Sequence, residues 1–425
     1  MPSRRLWCEG TILAILVLAI AARAADKEKV LRNFTGGRDG ANSPAGLIVD
    51  TAGNLYGTTF SGGVSGCYSG SGVVFELMPS ANGGWKETVL HAFAGGKDGG
   101  GSFAGLIMDA AGNLYGTTRG GTVFELTPTK TGRWKETVLY SFCSLTNCAD
   151  GADPWSNLIF DPAGNLYGTT YNGGGGTCVS GCGVVYELTL GPHGWKETVL
   201  HTFTGGPDGA NPVSGLAIDA AGTLYGTALF GGNRNNCSGS GYTPGCGVAF
   251  KLTPTSNGWK WKVIHTFTNG WDGANPAAGL TLDSAGNLYG TTDSGDIVGK
   301  CPGINAGCGV VFELTPASSD RWKETVLHAF TGGKDGGSPQ APVIFDAVGN
   351  LYGTTWEGPA TNGLVFELTP TSNGWKEKVL HTFDGLDGAN LGAGLAIDSA
   401  GNLFGTTYDG GKHGYGVVFE VTTTR

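Results

Sequence analysis

Gly53-Asn54-Leu55-Tyr56-Gly57-Thr58-Thr59 is the most informative stretch of this chain, because it returns six more times with almost the same letters. The second glycine of each copy falls at Gly57, Gly116, Gly168, Gly226, Gly290, Gly353 and Gly405. These glycines are 52 to 64 residues apart, and a recurrence of that length is typical of an array that repeats one supersecondary unit. We therefore predict a single repeat domain, although 425 residues would otherwise suggest two or three domains.

Each copy contains four strand-like segments in a fixed order. In the fourth copy, the apolar run Ser214–Asp219 is followed by a turn at Gly222 and by the β-type segment Leu224–Thr227. A loop of variable length then leads to Gly247–Leu252, and a polar turn leads to Trp259–Phe267. No apolar period of 3.6 residues follows the first 25 residues, so the fold class is predicted to be all-β.

Seven four-stranded units predict a seven-bladed β-propeller over residues 25–425. The last copy stops at Val421-Thr422 and lacks its fourth strand. Lys29–Phe34 has the pattern of a fourth strand, but no first, second or third strand precedes it. We expect this N-terminal strand to complete the last blade and close the ring, which leaves no terminal edge unpaired. The repeats are expected at about 29–88, 89–137, 138–198, 199–262, 263–325, 326–378 and 379–425.

The N-terminus carries the pattern of a secretory signal peptide. Arg4 and Arg5 precede an apolar run from Thr11 to Ile20, and Ala22-Arg23-Ala24 is a small-residue cleavage site, so residues 1–24 are expected to be removed. No other apolar stretch approaches spanning length, and no C-terminal sorting tail is visible, so no transmembrane anchor is expected. We predict a bacterial protein that is secreted, periplasmic or held at the cell surface.

The overall charge argues against nucleic acid as a partner. The net charge is −9, and loss of three arginines and one glutamate with residues 1–24 would make it −11. A chain that binds phosphate backbones is expected to carry a basic surface instead.

Eight of the ten cysteines form close pairs in the sequence. In an exported chain such pairs predict disulfides rather than metal ligands, because no C-x-x-C spacing occurs and no histidine accompanies them. Cys67 is left without a partner, since the corresponding second position holds Ser71. The expected bridges are Cys143–Cys148, Cys178–Cys182, Cys237–Cys246 and Cys301–Cys308.

Two sets of repeated aspartates are best explained by turns. An aspartate three residues before a glycine can accept hydrogen bonds from the N–H groups of its own turn while the glycine adopts a positive φ. This first set is Asp50, Asp109, Asp161, Asp219, Asp283, Asp346 and Asp398. A second set opens the crossover loops at Asp39, Asp98, Asp150, Asp208, Asp272, Asp335 and Asp387. Calcium binding is the alternative for the second set, but no D-x-D-x-D-G loop occurs, so turn capping is preferred and no cofactor is predicted.

Other repeated polar residues are expected on the outer wall. Five histidines share one fourth-strand position, so blade symmetry should disperse them rather than gather a metal site: His91, His201, His265, His328 and His381. Third-strand glutamates such as Glu76 are expected to pair across strands with fourth-strand lysines such as Lys86. In the fourth copy, Lys251 and Trp261 replace two glutamates, which suggests a cation–π contact there.

The repeat resembles a known family. Its motif D-x-x-G-N-L-Y-G-T-T, followed by V-F-E-L-T-P and W-K-E-T-V-L-H-x-F, is similar to the GloVer tandem repeats of exported bacterial proteins, some of them named "choice-of-anchor". The strand order also resembles that of NHL-type propellers. The resemblance covers residues 29–425 and implies export and repeat architecture, without implying an activity or catalytic residues.

Positions that differ between copies are where function is expected, because scaffold positions repeat. The residue after the Gly-Thr-Thr segment defines what we term the first ring: Phe60, Arg119, Tyr171, Leu229, Asp293, Trp356 and Tyr408. The residue five positions beyond each crossover aspartate defines the second ring: Pro44, Phe103, Trp155, Val213, Ala277, Gln340 and Gly392. Both rings are expected on one face of the propeller, since successive connections in a blade alternate between faces.

The composition of the two rings suits a ligand site. Aromatic side chains with a few polar groups would stack on sugar rings and set their orientation. We therefore expect Phe60, Arg119, Tyr171, Asp293, Trp356, Tyr408, Phe103 and Trp155 to bind a ligand. The alternative is that these side chains only fill the central channel.

Two classes of function remain open on the sequence. The first is a binding or scaffold protein for an extracellular glycan, polymer or protein. The second is a propeller enzyme of the lyase, glycoside hydrolase or lactonase type, although no catalytic motif is visible. The candidate catalytic acids of such an enzyme would be those found in single copies of the repeat, namely Asp153, Asp293, Glu357 and Asp409.

Overall fold

The computed structural model describes residues 27–64, 71–233, 237, 244–295, 301, 307–359 and 362–423. The predicted signal peptide and Cys67 lie outside these residues. Among the described residues, no helix is long and apolar enough to cross a membrane.

The strands form seven blades of four, numbered here along the chain. The outer strand of blade 7 is β1, Lys27–Asn33. Blade 1 contains β2 Ile48–Val49, β3 Leu55–Thr58, β4 Val73–Pro79 and β5 Trp85–Ala92. Blade 2 contains β6 Ile107–Met108, β7 Leu114–Thr118, β8 Thr122–Pro128 and β9 Trp134–Ser141. Blade 3 contains β10 Ile159–Phe160, β11 Leu166–Thr170, β12 Val184–Gly191 and β13 Gly194–Thr202.

The remaining blades repeat this layout. Blade 4 contains β14 Ala217–Ile218, β15 Leu224–Ala228, β16 Val248–Thr255 and β17 Gly258–Thr266. Blade 5 contains β18 Thr281–Leu282, β19 Leu288–Thr291, β20 Val310–Ala317 and β21 Arg321–Ala329. Blade 6 contains β22 Ile344–Phe345, β23 Leu351–Thr355, β24 Leu364–Thr371 and β25 Gly374–Thr382. Blade 7 adds β26 Ala396–Ile397, β27 Leu403–Thr406 and β28 Val417–Thr422. Short 3-10 turns occur at Gly96–Asp98, Thr146–Cys148 and Ser318–Asp320.

The ring closes as predicted. Blade 7 has the strand order β1-β28-β27-β26, so its outer strand comes from the N-terminus and its other three strands from the C-terminus. Strand β1 runs antiparallel to β28, with Val30 opposite Phe419 and Asn33 opposite Val417. The seven-bladed, all-β fold is therefore confirmed.

The core lies between adjacent blades rather than within one blade. Phe34, at the end of β1, packs edge-on against Phe75 of blade 1 with ring centroids 5.3 Å apart, and both side chains are fully buried. The same junction recurs at every blade boundary, at Phe93–Phe124, Phe142–Tyr186, Phe203–Phe250, Phe267–Phe312, Phe330–Phe366 and Phe383–Phe419. Burial of these large rings is a main source of the stability that joins the blades.

Glycines allow the inner strands to meet around the axis. A Cβ atom on Gly46 would lie 3.0 Å from the backbone oxygen of Gly394 in the neighbouring blade. One on Gly105 would lie 3.1 Å from the backbone oxygen of Gly46. Most copies therefore need glycine here, because a side chain would push neighbouring blades apart.

The hairpin aspartates cap their turns, as expected. Oδ1 of Asp50 accepts hydrogen bonds from the N–H groups of Ala52 and Asn54 at 2.9 and 2.8 Å. Gly53 adopts a φ of 83°. The equivalent aspartates of the other six copies make the same two bonds.

The expected pairing of third-strand glutamates with the lysines that follow the fourth-strand tryptophans is wrong, although Glu367 does form an ion pair with another fourth-strand lysine, Lys378, at 3.9 Å. Glu76 stands opposite Thr88, whereas Lys86 stands opposite Met78. Oε1 of Glu76 instead accepts a hydrogen bond from the Tyr56 hydroxyl at 2.9 Å. The equivalent tyrosines donate to Glu125, Glu187, Glu313 and Glu367.

The four predicted disulfides are present. They join Cys143 to Cys148, Cys178 to Cys182, Cys237 to Cys246 and Cys301 to Cys308. Each bridge closes a short loop, which suits an oxidising extracellular or periplasmic environment.

Candidate functional site

The crossover loops and the variable loops lie together on one face, as expected. In six of the seven blades, a residue of the crossover loop that enters the blade forms an antiparallel bridge with the loop that follows the second strand of the blade. The bridges join Ala41 to Ser61, Ala152 to Asn172, Ala210 to Phe230, Ala274 to Ser294, Gly337 to Glu357 and Ala389 to Asp409. This arrangement brings the first and second rings side by side, and we call the surface that they form the mouth.

All seven positions of the second ring line the central channel. They surround a cavity of about 400 Å³ together with residues of the inner strands, including Ile107, Ile159 and Ile344. A cavity of this volume lies within the range of roughly 300–1,000 Å³ that is usual for small-molecule sites.

Asn157 is a channel residue that the sequence comparison missed. It lines the same cavity and is exposed, and its Oδ1 accepts a hydrogen bond from the backbone N–H of Gly105 at 2.6 Å. The signal was available, because the other copies hold only glycine or proline at this position: Gly46, Gly105, Gly215, Gly279, Pro342 and Gly394.

Four of the predicted residues form a continuous aromatic arc across blades 1 to 3. Phe60 packs on Phe103 with centroids 4.6 Å apart, and Phe103 packs on Trp155 at 5.2 Å. Trp155 stacks on Tyr171 at 4.3 Å with an interplanar angle of 10°. The indole Nε1–H of Trp155 is buried and has no hydrogen-bond partner among the described residues. The arc therefore offers aromatic surface and one donor that lacks an acceptor.

The rest of the mouth is more polar. Trp356 and Tyr408 form a second aromatic pair, with centroids 6.3 Å apart. Nε2 of Gln340, from the second ring, donates to Oδ1 of Asp293, from the first ring, at 2.9 Å. Arg119 is exposed and is the one predicted site residue that joins neither aromatic group nor this polar pair.

Asparagines in the crossover loops position the first ring, a role that sequence reasoning did not recognise. Nδ2 of Asn42 donates to the backbone oxygen of Tyr408 in the preceding blade at 2.9 Å, and Nδ2 of Asn211 donates to that of Tyr171 at 2.8 Å. Both asparagines have a positive φ, of 55° and 52°, which asparagine adopts more readily than most residues. The repeated letters Asp-Gly-Ala-Asn were the available signal.

Two of the four single-copy acids are held by asparagine side chains. Asp153 accepts a hydrogen bond from Asn172 at 2.6 Å. Asp409 accepts hydrogen bonds from Asn42 and Asn390 at 3.2 and 2.9 Å. Through these hydrogen bonds, both carboxylates stabilise the loops of the mouth.

The other two acids form an electrostatically linked pair in blades 5 and 6. Burial raises the pKa of Asp293 above its usual range, although hydrogen bonds from Gln340 and Ser338 act in the opposite direction. Burial also raises the pKa of Glu357, and the nearby charge of Asp293 adds to this effect. A raised pKa favours the protonated form of a carboxyl group, which is the form that acts as a general acid.

The crossover aspartates cap their loops, as predicted. Oδ2 of Asp335 accepts a hydrogen bond from the N–H of Thr331 at 2.9 Å, and Asp39 does the same with Thr35 at 2.9 Å. Five of the seven crossover aspartates also pair with the fourth-strand histidines of their blades, at the outer wall. The histidines are dispersed around the ring, as predicted.

A family profile, the Gloeobacter/Verrucomicrobia repeat, matches residues 19–239, 119–302 and 179–419. The chain belongs to this repeat family. The propeller thus shows how one member of the Gloeobacter/Verrucomicrobia repeat family folds, with one copy of the Leu-Tyr-Gly-Thr-Thr motif or a close variant of it in each blade.

Comparisons with individual proteins are less informative for this Gloeobacter/Verrucomicrobia repeat protein. No curated protein matches it. Among solved structures, it is similar to a gluconolactonase from Xanthomonas campestris, with 16% identity, a TM-score of 0.42 and coverage of 79% of this chain and 87% of that one. It is also similar to a Trichoderma reesei enzyme of carbohydrate-active family AA12, with 14% identity, a TM-score of 0.44 and coverage of 94% and 95%.

Proposed function

We propose that this protein is exported and binds an extracellular saccharide at the mouth of its central channel. The observation that carries the proposal is the aromatic arc of Phe60, Phe103, Trp155 and Tyr171. Buried aromatic faces elsewhere in the fold recur from blade to blade, whereas the arc is built from residues that differ between copies. A repeated fold has no structural need for such an asymmetric cluster.

The chemistry of the mouth suits a sugar. Aromatic faces stack on the apolar faces of pyranose rings, and polar groups at the edge fix the orientation of the hydroxyl groups. The Trp155 indole N–H lacks an acceptor among the described residues, and a sugar hydroxyl would supply one. Asn157 and Gln340 offer further amide groups around the cavity.

Export is supported by two independent features. Four disulfides close loops of the propeller, and the first 24 residues have the pattern of a signal peptide. An exported protein would meet saccharides of the envelope or of the surroundings, so a glycan array on the mature protein is the appropriate first screen.

Trp155→Ala tests the proposal once a glycan has been retained. Loss of the central ring of the arc should weaken binding by about tenfold or more, which corresponds to about 1.4 kcal/mol. Trp271→Ala is the matched control, because Trp271 is 61% exposed and does not belong to the arc. The double variant Tyr171→Ala/Trp356→Ala should abolish binding, since it removes one ring from each aromatic group. If Trp155→Ala binds the glycan as tightly as the wild type, the mouth is not the site.

A propeller enzyme acting on a saccharide is the second candidate, and the acidic pair Asp293–Glu357 favours it. A carboxyl group with a raised pKa could act as a general acid beside the cavity. The retained glycan should then be converted to product over time, and Asp293→Asn should stop conversion while binding persists. Unchanged glycan after prolonged incubation with the wild-type protein would favour the binding function alone.

A further inference from the structure

The boundaries between blades carry a repeated polar constellation at the outer wall, and we call each one a seam. Each seam joins a fourth-strand residue and a crossover aspartate of one blade to a fourth-strand residue of the next blade. In the seam between blades 5 and 6, for example, these residues are His328, Asp335 and Glu377. The residue contributed by the next blade is a glutamate in six seams and Trp261 in the seam between blades 3 and 4.

The glutamates of the seams are incompletely satisfied. In each of the six seams that contain one, a buried glutamate oxygen has no hydrogen-bond partner among the described residues; these are Glu28, Glu87, Glu136, Glu197, Glu324 and Glu377. A buried acceptor without a partner is costly, so the native state benefits from any cation, donor or water that reaches it.

The seam between blades 6 and 7 differs from the others in its loop. His381 and Asp387 are six positions apart, whereas His201 and Asp208 are seven apart, so the crossover loop is one residue shorter. Asp384 takes the place held by threonine in most copies, and its Oδ1 accepts a hydrogen bond from the N–H of Leu386 at 2.8 Å. This seam therefore gathers an additional carboxylate beside a single imidazole.

Its ligating atoms also converge. Nε2 of His381 lies 2.8 Å from Oδ2 of Asp387, and ligand atoms of Glu28, His381 and Asp387 all lie within 4.8 Å of one another. Among the described residues, no other group of three histidines, cysteines or acids meets this condition. Asp387 forms an ion pair with His381. Among the described residues, no lysine or arginine forms an ion pair with Glu28.

We propose that Glu28, His381 and Asp387 bind a divalent transition-metal ion of the Zn²⁺ class. One imidazole nitrogen and two carboxylate oxygens are ligands that zinc accepts, whereas calcium and magnesium prefer oxygen ligands alone. The buried, unpartnered oxygen of Glu28 belongs to the same cluster and would gain a partner on metal binding. The backbone N–H groups of Leu386 and Asp387 donate to Oδ1 of Asp384, which holds this carboxylate in the same loop as Asp387.

The location gives the site a structural consequence. Glu28 lies on β1, which joins blade 7 by pairing with β28 and without a peptide link to it. His381 and Asp387 belong to β25 of blade 6 and to the loop that follows it. A bound ion would therefore tie the N-terminal strand to the neighbouring blade at the point where the ring closes, and would stabilise the native state by mass action.

Titration of the tag-free mature protein with Zn²⁺, after treatment with a chelator, tests the proposal. Calorimetry should show one ion per chain, and the melting temperature should rise with Zn²⁺ concentration. Glu28→Gln keeps the shape of the side chain and should weaken binding by ~10-fold or more. Glu377→Gln is the matched control from the seam between blades 5 and 6, and it should bind Zn²⁺ as the wild type does.

Two further measurements keep the test decisive. The melting temperature of Glu28→Gln in chelator should not fall below that of the wild type, which separates loss of a ligand from loss of the fold. If Glu28→Gln does not fold, His381→Gln should show the same loss of Zn²⁺ binding. The proposal is overturned if the wild type binds no Zn²⁺, or if the folded variants at Glu28 and His381 bind it as tightly as the wild type.

Discussion

The seven repeats present similar side chains at the outer wall and different side chains at the mouth. At the outer wall, each seam repeats one arrangement, in which a fourth-strand side chain and a crossover aspartate meet a side chain of the next blade. At the mouth, neighbouring blades present side chains as different as Trp155, Val213 and Ala277. The difference shows that the ring needs seven similar joints at the seams but does not need seven similar side chains at the mouth. Unlike side chains on one face are what the proposed saccharide site would require.

Departures within the seams support this view, because each replacement still joins two blades. In the seam between blades 7 and 1, Arg32 takes the histidine position and contacts both Asp39 and Glu87 at 2.7 Å. In the seam between blades 3 and 4, Trp261 stacks on His201 with centroids 3.7 Å apart. The expected cation–π contact of Trp261 with Lys251 is wrong, because Trp261 stands opposite Leu252 and not opposite Lys251. Lys251 instead forms an ion pair with Asp320 at 2.5 Å.

Deletion of residues 25–36 should have the largest effect, because it removes a joint that no other part of the chain can supply. The deletion takes away β1, the fully buried Phe34 and the Arg32 side of one seam. We expect the melting temperature and the cooperativity of unfolding to fall sharply in calorimetry. Deletion of residues 25 and 26 alone is the control and should leave the transition unchanged. An unaltered transition in the longer deletion would contradict closure by β1.

Replacement of a seam glutamate should have an intermediate effect that depends on pH. Burial and the nearby charge of Asp98 raise the pKa of Glu136 from 4.5 to about 7, and His91 pairs with the same aspartate. The native protein therefore holds this proton more tightly than the unfolded chain does, so this group lowers stability as pH rises from about 4.5 to about 7. Above about pH 7 the loss of stability caused by the charged Glu136 is complete and no longer changes with pH.

Glu136→Gln removes the penalty and should raise the free energy of unfolding by about 1 kcal/mol at about pH 8, after allowance for partial exposure. At about pH 4 both proteins carry a neutral side chain, so the difference should vanish. Chemical denaturation at the two pH values measures this. An equal gain in the free energy of unfolding at both pH values would indicate an effect of packing and not of the ionisation of Glu136.

Replacement of Arg119 should have the smallest effect on stability. Its side chain is exposed at the mouth, so Arg119→Ala should change the free energy of unfolding by less than about 0.5 kcal/mol. The same variant should change affinity for the saccharide retained on the array if Arg119 orients it. A large loss of stability would show that the mouth also belongs to the framework, and would weaken the contrast with the seams.

Sequence reasoning succeeded where chemistry is local. The turn of Asp50 could be predicted because acceptor and donors are separated by two to four residues. The pairing of Glu76 could not, because it depends on the register set by the hairpin turn and on a bulge between Val74 and Phe75. A shift in register changes which side chains face each other, and the letters alone do not show the bulge.

The candidate site was predictable in its membership and not in its arrangement. Comparison of the copies found the aromatic residues, since a variable position within constant neighbours needs no coordinates to be seen. It could not show that Trp155 stacks on Tyr171 while Trp356 lies with Tyr408 in another part of the ring. It also missed Asn157, because the equivalent positions in the other copies are glycine or proline and do not indicate a polar site.

The sequence by itself determined the number of blades, the identity of the closing strand and the four local disulfides, because each follows from short-range patterns repeated along one chain. Only the tertiary structure decided which unlike residues meet, since the seams and the mouth each combine side chains from different blades. Glu28 and His381 are 353 positions apart and become neighbours only when the ring closes. Such contacts depend on the twist, spacing and closure of seven sheets together, and no single repeat contains that information.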